Sequence, residues 1–145
     1  MNFIKNFKIT RVLEAQADGT GTQSSDILDM SGFEGVVFIA KFDDVDNTSV
    51  LTLQAQQNTV NSATGMATLS GNATYTAAAA DADDDMLVLE VFKPQERYLR
   101  AQVVIATANA TNAGVIAIQY NTYKAPITQG STVLDSELLV SPDEA

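Results

Sequence analysis

Histidine, cysteine and tryptophan are all absent from this chain of 145 residues, and their absence excludes several kinds of chemistry. A chain without histidine and cysteine has no Ser-His-Asp or Cys-His nucleophile system and no imidazole or thiolate metal site. It also has no disulfide framework, so an apolar core has to hold the fold together. The lack of tryptophan removes a common stacking platform of carbohydrate sites.

Basic residues are scarce as well: 8 lysines and arginines stand against 18 aspartates and glutamates, for a formal charge of −10. Nucleic-acid binding and attraction to anionic membranes both depend on a surplus of bases. We therefore expect no direct nucleic-acid binding and no membrane association, whereas a cationic protein partner suits this charge. The opening MNFIKNFK has no apolar stretch of the kind found in a secretory signal.

The chain does contain a series of short segments with strand character. Apolar and polar residues alternate over residues 50–57 and 98–106. Residues 35–42 (GVVFIAKF) form a continuous apolar run, which is typical of a strand buried on both faces. Further strands are predicted at 7–13, 25–30, 86–92 and 114–123, weaker ones at 66–69 and 72–76, turns at 18–22 and 107–113, and a polar loop at 43–47.

About eight strands with turns at close spacing predict an all-β fold, a β-sandwich or jelly-roll-like domain with extended N- and C-terminal arms. We divide the single domain into three parts. Residues 1–20 form an N-terminal arm with a possible first strand, residues 21–125 form the β-sandwich core, and residues 126–145 form an extended acidic C-terminal arm. The strand pattern stops after Pro126.

Carboxylates are the remaining candidates for catalysis or metal binding. Glu34, Glu90 and Glu96 are candidates for a pair that hydrolyses a glycosidic bond, but no spacing or aromatic pattern supports such a site. Residues 43–47 and 81–85 are rich in aspartate, yet neither has the glycine and glutamate positions of a calcium-binding EF-hand loop. We therefore predict no catalytic residue, no cofactor and no metal, and interpret both segments as solvated loops.

The two ends of the chain carry opposite charges. Lys5, Lys8 and Arg11 precede the first acid, and the last residues hold acids without a base. We expect the ends to be contact elements, one for an acidic neighbour and one for a basic neighbour, which order on assembly. Deleting residues 1–11 or 131–145 should then leave the fold intact and weaken assembly.

Other residues complete the set of predicted interface candidates. Arg97 and Arg100 follow a strand end and are expected to pair with the acidic loop 83–85, within the chain or across a subunit boundary. Tyr123 is expected to be exposed, and Leu138 and Leu139 form an apolar patch in the C-terminal arm. The candidates are Lys5, Lys8, Arg11, Arg97, Arg100, Tyr123, Leu138 and Leu139.

Several of these segments, in their order along the chain, resemble a known family. They are residues 29–36 (DMSGFEGV), 53–57 (LQAQQ), 84–94 (DDMLVLEVFKP), 97–100 (RYLR), 116–120 (IAIQY) and 140–142 (VSP). They are similar to small phage and prophage proteins encoded beside the major capsid protein, the head decoration or cement proteins of tailed bacteriophages. The chain departs from that family at Met66, where a tryptophan often stands.

The resemblance implies a virion structural protein with a β-sandwich fold. Its partners would be copies of itself, as a homotrimer, and the major capsid protein. It would be made in the host cytoplasm and located on the outer capsid surface, where it cements capsomers and stabilises the expanded head. The alternatives are another virion part, such as a tail-tube, head–tail joining or fibre component, or a carbohydrate-binding β-sandwich module.

Overall fold

A computed structural model of the chain describes residues 1–141 and 143–144 and contains one helical turn and nine strands. Pro142 and Ala145, which belong to the predicted C-terminal arm, lie outside the described residues. The helical turn α1 spans Phe3–Asn6. The strands are β1 Lys8–Leu13, β2 Gly19–Ser24, β3 Leu28–Asp29, β4 Gly35–Val45, β5 Val50–Asn58, β6 Ala67–Thr68, β7 Ala73–Thr76, β8 Met86–Phe92 and β9 Tyr98–Tyr120.

The strand β9 is the central strand of the fold, because it pairs antiparallel with five other strands. Its first half lies between β5 on one side and β2 and β3 on the other. Its second half lies between β4, which also pairs with β8, and β1. The sheet therefore curls into two halves joined through β9, which confirms the predicted all-β, jelly-roll-like class.

The change of direction within β9 has a local cause. Thr107 and Gly114 have positive φ angles of 72° and 123°, and the pairing of β4 with β9 shifts register between them. At Gly114 a Cβ atom would lie 2.8 Å from the carbonyl oxygen of Leu13. Glycine is therefore required at this position both by the backbone conformation and by the close approach of β1.

The apolar core lies between the two halves. Alternate residues of each strand point into it, as the period of a β-strand dictates. Phe33 is half-buried and packs against this core. The largest fully buried apolar side chains are Phe38, Phe42, Leu53, Leu99, Ile105, Val12, Val36, Val45, Val103 and Val115.

Some local predictions are wrong. Residues 18–22 were expected to turn, but β2 begins at Gly19 and pairs with β9. Residues 107–113 were expected to form a turn, but they continue β9 through bulges. Residues 43–45 belong to β4 rather than to a loop, and residues 25–30 contain only the two-residue strand β3. Pairing of β9 with β2 and with β4 holds the first three of these segments extended, whatever their local composition.

The run 35–42 is not buried on both faces as predicted. The residues of β4 alternate between buried positions, such as Phe38 and Ala40, and half-buried ones, Val37 and Ile39. The half-buried residues point outward, where the described part of the chain places no further layer over them. This outward face is the basis of the candidate site described below.

Candidate interaction surfaces

The outward surface of β8, β4, the second half of β9 and β1 is mainly apolar. Antiparallel partners lie directly opposite one another on the same face. The register pairs Val88 with Ile39, and Ile39 with Ile116. It also aligns Val37 with Ile118, which is paired with Ile9. We define the apolar face by these outward residues: Ile9, Val37, Ile39, Met86, Val88, Phe92, Ile116 and Ile118.

The side chains of the apolar face are open to solvent. Val88 is 50% exposed, Ile116 is 44% exposed, and Met86 and Phe92 are each 57% exposed. Inward neighbours on β8, such as Leu89, instead pack against the core. Contiguous apolar patches that are exposed in this way mark sites where another molecule binds.

Charged groups at the margins of the apolar face are paired within the chain. Lys41 lies 2.8 Å from Asp43 Oδ1, and this hydrogen bond raises the pKa of the lysine. Arg11 lies 3.1 Å from Glu14 Oε1. The face therefore carries little unpaired charge, although the chain as a whole is strongly acidic.

One further carboxylate on this face, Glu90, accepts a hydrogen bond from the Tyr120 hydroxyl. The Tyr120 ring crosses the strand between them above Gly35, where no side chain obstructs it. Burial and the hydrogen bond to Glu90 together raise the pKa of Tyr120 well above its usual range. The tyrosine thus holds Glu90 in place and keeps its own proton at neutral pH.

The outward surface of the other half is polar, and its side chains bond to one another along the sheet. The Gln54 amide donates to Gln102 Oε1 over 2.9 Å, and the Gln102 amide donates to Ser24 Oγ over 2.9 Å. Arg100 donates to Gln56 Oε1 over 2.8 Å, and Gln56 donates to Thr68 Oγ1 over 3.0 Å. We call this surface, formed by β6, β7, β5, the first half of β9 and β2, the amide face.

The predicted interface candidates Arg97 and Arg100 both have partners within the chain. Arg97 donates two hydrogen bonds to Asp29, of 2.9 and 2.8 Å, and its guanidinium lies over the Tyr98 ring. These bonds hold the pKa of Asp29 below its usual value. Within the described residues neither arginine reaches the acidic loop 83–85, so the predicted intrachain pairing is wrong. That loop lies against β4, where Asp83 accepts the Val45 N–H.

The N-terminal candidates lie close to the C-terminal arm. Lys5 is exposed on α1, and its carbonyl oxygen accepts the Ile127 N–H at 2.9 Å. Lys8 is half-buried at the start of β1, and Arg11 is exposed on the same strand. The oppositely charged ends therefore meet within one chain. That each end also contacts a separate neighbour, one acidic and one basic, stays a prediction.

Three candidates lie at or beyond the end of the last strand. Tyr123 is 76% exposed, and its N–H donates to the Gly32 carbonyl. Leu138 is half-buried beside Ile4 in a groove that Lys5 also lines. Leu139 is 66% exposed. Of the eight predicted residues, Arg11 alone has an outward side chain on the strands that carry the apolar face.

The residues of the apolar face were missed because a continuous apolar run has two explanations. A strand with both faces apolar is buried either within its own chain or against another molecule, and periodicity alone does not distinguish these cases. The signal that could have found the face is the coincidence of two such runs, residues 35–42 and 86–92, in one small domain.

Two of the three carboxylates considered for catalysis, Glu34 and Glu90, are engaged in other contacts. Glu34 Oε2 accepts from the Asn121 amide over 2.8 Å, and Glu34 Oε1 lies 3.6 Å from Lys93. Over residues 1–141 and 143–144, no cluster of three or more acidic side chains is arranged to hold a metal ion. In the same residues no helix has the length and apolar character required to cross a membrane.

No protein-family model and no curated protein matches the chain. Among solved structures, one that resembles it is described as the Eiger TNF from S. frugiperda. The likeness covers 92% of this chain and 99% of that chain, with 8% sequence identity and a TM-score of 0.42.

Proposed function

We propose that this chain is a structural protein of a tailed-phage virion, which binds the outside of the head as a homotrimer and cements capsomers. The observation that carries the proposal is the apolar face on an otherwise acidic and polar domain, because a surface of this kind is built for contact with protein. The resemblance of the ordered strand segments to head decoration proteins supplies the identity of the assembly.

The physical role follows from binding equilibria. A protein that binds the expanded head lattice but not the precursor stabilises the expanded form by mass action. Its many copies sit close together on the head, and the net charge of −10 favours their solubility before assembly. Acidic loops and the acidic C-terminal arm suit contact with cationic surfaces of a major capsid protein.

The test is a co-sedimentation experiment with the full chain. The chain would be mixed with expanded, undecorated heads and separately with unexpanded precursor heads, both assembled from the major capsid protein of the same phage. We expect saturable binding to the expanded heads alone, and an increase in the temperature at which those heads disassemble. Equal binding to both forms, or binding to neither, would refute the proposal.

A further inference from the structure

We infer that the apolar face is the surface through which copies of this chain bind one another. The inference deepens the proposed function, on which it rests, by assigning the contact within the homo-oligomer to named residues. Its centre is the row formed by Val88, Ile39 and Ile116 on three adjacent strands.

The two outward sheet surfaces of the chain provide an internal comparison. On the amide face the outward groups are mainly polar, with Val104 an exception, and lateral hydrogen bonds such as Gln54 to Gln102 satisfy them beside solvent. On the apolar face the corresponding positions hold branched aliphatic and aromatic side chains, and Val88 and Phe92 remain about half exposed. A sheet with one solvated face would be expected to carry polar residues there. The apolar side chains therefore indicate that a second molecule covers this face.

The low charge of the apolar face favours a second copy as the occupant. Two chains of charge −10 repel each other least where they meet through surfaces with few carboxylates. The two cations at the margin of the face, Lys41 and Arg11, are neutralised by Asp43 and Glu14, and Glu90, which accepts the Tyr120 hydrogen bond, keeps its negative charge. A basic partner would gain more from the acidic loops and the acidic C-terminal arm, where the carboxylates cluster.

The size of the face suits a contact between copies. Seven residues of β8 at about 3.4 Å each, across four strands about 4.8 Å apart, give a projected area of about 450 Å². In a trimer each face covers an equal area on the neighbouring copy, so one contact buries about 900 Å², slightly less than the roughly 1,000 Å² of a specific interface. Side chains around the face, such as Arg11 and Tyr120, supply the polar margin of the contact.

The first test places a charge in the centre of the face. Val88→Lys adds an ammonium group that association would bury, and Thr22→Lys makes the matched change at an exposed strand residue of the amide face. Sedimentation and native mass measurement should give a whole multiple of 15.4 kDa for the unmodified chain and for Thr22→Lys, three in the homotrimer. Val88→Lys should give 15.4 kDa at the same concentration, with circular dichroism that reports a folded chain.

A milder variant protects the test against loss of folding. Because the chain has no cysteine, Val88→Cys and Thr22→Cys each introduce a single thiol. The rate of labelling by a thiol reagent should fall at least tenfold for Val88→Cys as protein concentration rises, and stay constant for Thr22→Cys. Equal rates at both positions would overturn the inference.

The oligomeric state and the binding to heads, measured together, distinguish failure of this inference from failure of the proposed function. If the unmodified chain is a monomer at all concentrations but Val88→Lys abolishes binding to expanded heads, the face binds the capsid protein and the self-contact is wrong. If the chain forms an oligomer that Val88→Lys dissociates, yet never binds heads, the self-contact stands and the capsid role is wrong. The same oligomer for Val88→Lys and the unmodified chain overturns the self-contact directly.

Discussion

Gln129 completes the hydrogen bonding of Ile9 from the opposite end of the chain. The Ile9 N–H, which points away from β9, donates to Gln129 Oε1 over 2.9 Å. The amide nitrogen of Gln129 donates to the carbonyl oxygens of Ile4 and Phe7, over 2.9 and 2.7 Å. One side chain thus occupies part of the free edge of β1, which would otherwise be open to pairing with another chain.

We predict that Gln129→Ala detaches the C-terminal arm from β1. Three hydrogen bonds are lost, and each contributes about 0.5–1.5 kcal/mol net to stability. We therefore expect a loss of about 2 kcal/mol in the local stability of this edge. Native-state hydrogen exchange should report it as faster exchange at the Ile9 and Ile127 amides.

Gln95→Ala is the matched control, because Gln95 is an exposed loop residue. It should leave exchange at Ile9 unchanged. If Gln129→Ala also leaves exchange at Ile9 unchanged, backbone bonds such as Ile127 N–H to the Lys5 carbonyl hold the arm without the glutamine.

The strands that the sequence pattern predicts well are those whose own residues determine the conformation. Residues 50–55 alternate between half-buried and buried positions, and Met86–Phe92 is largely apolar and β-prone up to the turn before Pro94. The strand β2 was missed because Gly19–Ser24 has turn-like composition and is extended only through its pairing with β9. The same pairing keeps residues 107–113 extended, and buried Asn112 there bonds to Gln23.

The candidate site was harder to predict than the fold. The charge pattern of the sequence predicts contact elements at the termini, whereas the apolar face is formed by four strands that are distant in sequence. Val88 and Ile116 share that face only because both pair with Ile39 in the same register. Register between distant strands depends on tertiary packing, which the local pattern does not contain.

Removal of Arg97 should change the acid sensitivity of the chain. The folded pKa of Asp29 lies below its ordinary value of 3.8, chiefly because Arg97 donates to the carboxylate. A depressed folded pKa stabilises the fold above pH 3.8, and this contribution is lost as pH falls below that value. Both side chains are about half exposed, so screening by solvent keeps this contribution small.

We expect Arg97→Gln to unfold at lower denaturant concentration than the unmodified chain at pH 6, and the gap to close below pH 3. Arg100→Gln, which disturbs a hydrogen bond rather than an ion pair, should show no such convergence. A gap for Arg97→Gln that is constant from pH 6 to pH 2 would contradict the assignment.

Gly35→Ala should displace the Tyr120 ring. A Cβ atom at Gly35 would collide with the outer ring atoms and the hydroxyl of Tyr120, so the ring has to leave its place beside Glu90. We expect a destabilisation of about 1–3 kcal/mol by denaturant unfolding. Gly19→Ala is the control, since nothing lies within 4 Å of a Cβ atom at Gly19.

A double-mutant cycle separates this collision from a general effect of alanine in a strand. In a Tyr120→Ala background the obstacle is gone, so Gly35→Ala should cost at least about 1 kcal/mol less than in the unmodified chain. Additive effects of the two substitutions would show that the ring and the glycine are independent.

Tyr120 should also make the chain sensitive to alkali. The folded pKa of Tyr120 is raised above its ordinary value of 10.0, first by burial and then by the hydrogen bond to Glu90. A raised folded pKa contributes stability that is complete below pH 10 and is lost as pH rises further, because the unfolded tyrosine ionises first.

Denaturant unfolding should therefore show stability decreasing from pH 10 to pH 11.5. Tyr120→Phe should reduce that slope, and Tyr123→Phe, at an exposed tyrosine beyond the last strand, is the matched control. The same slope in Tyr120→Phe and in the unmodified chain would mean that Tyr120 ionises as readily folded as unfolded.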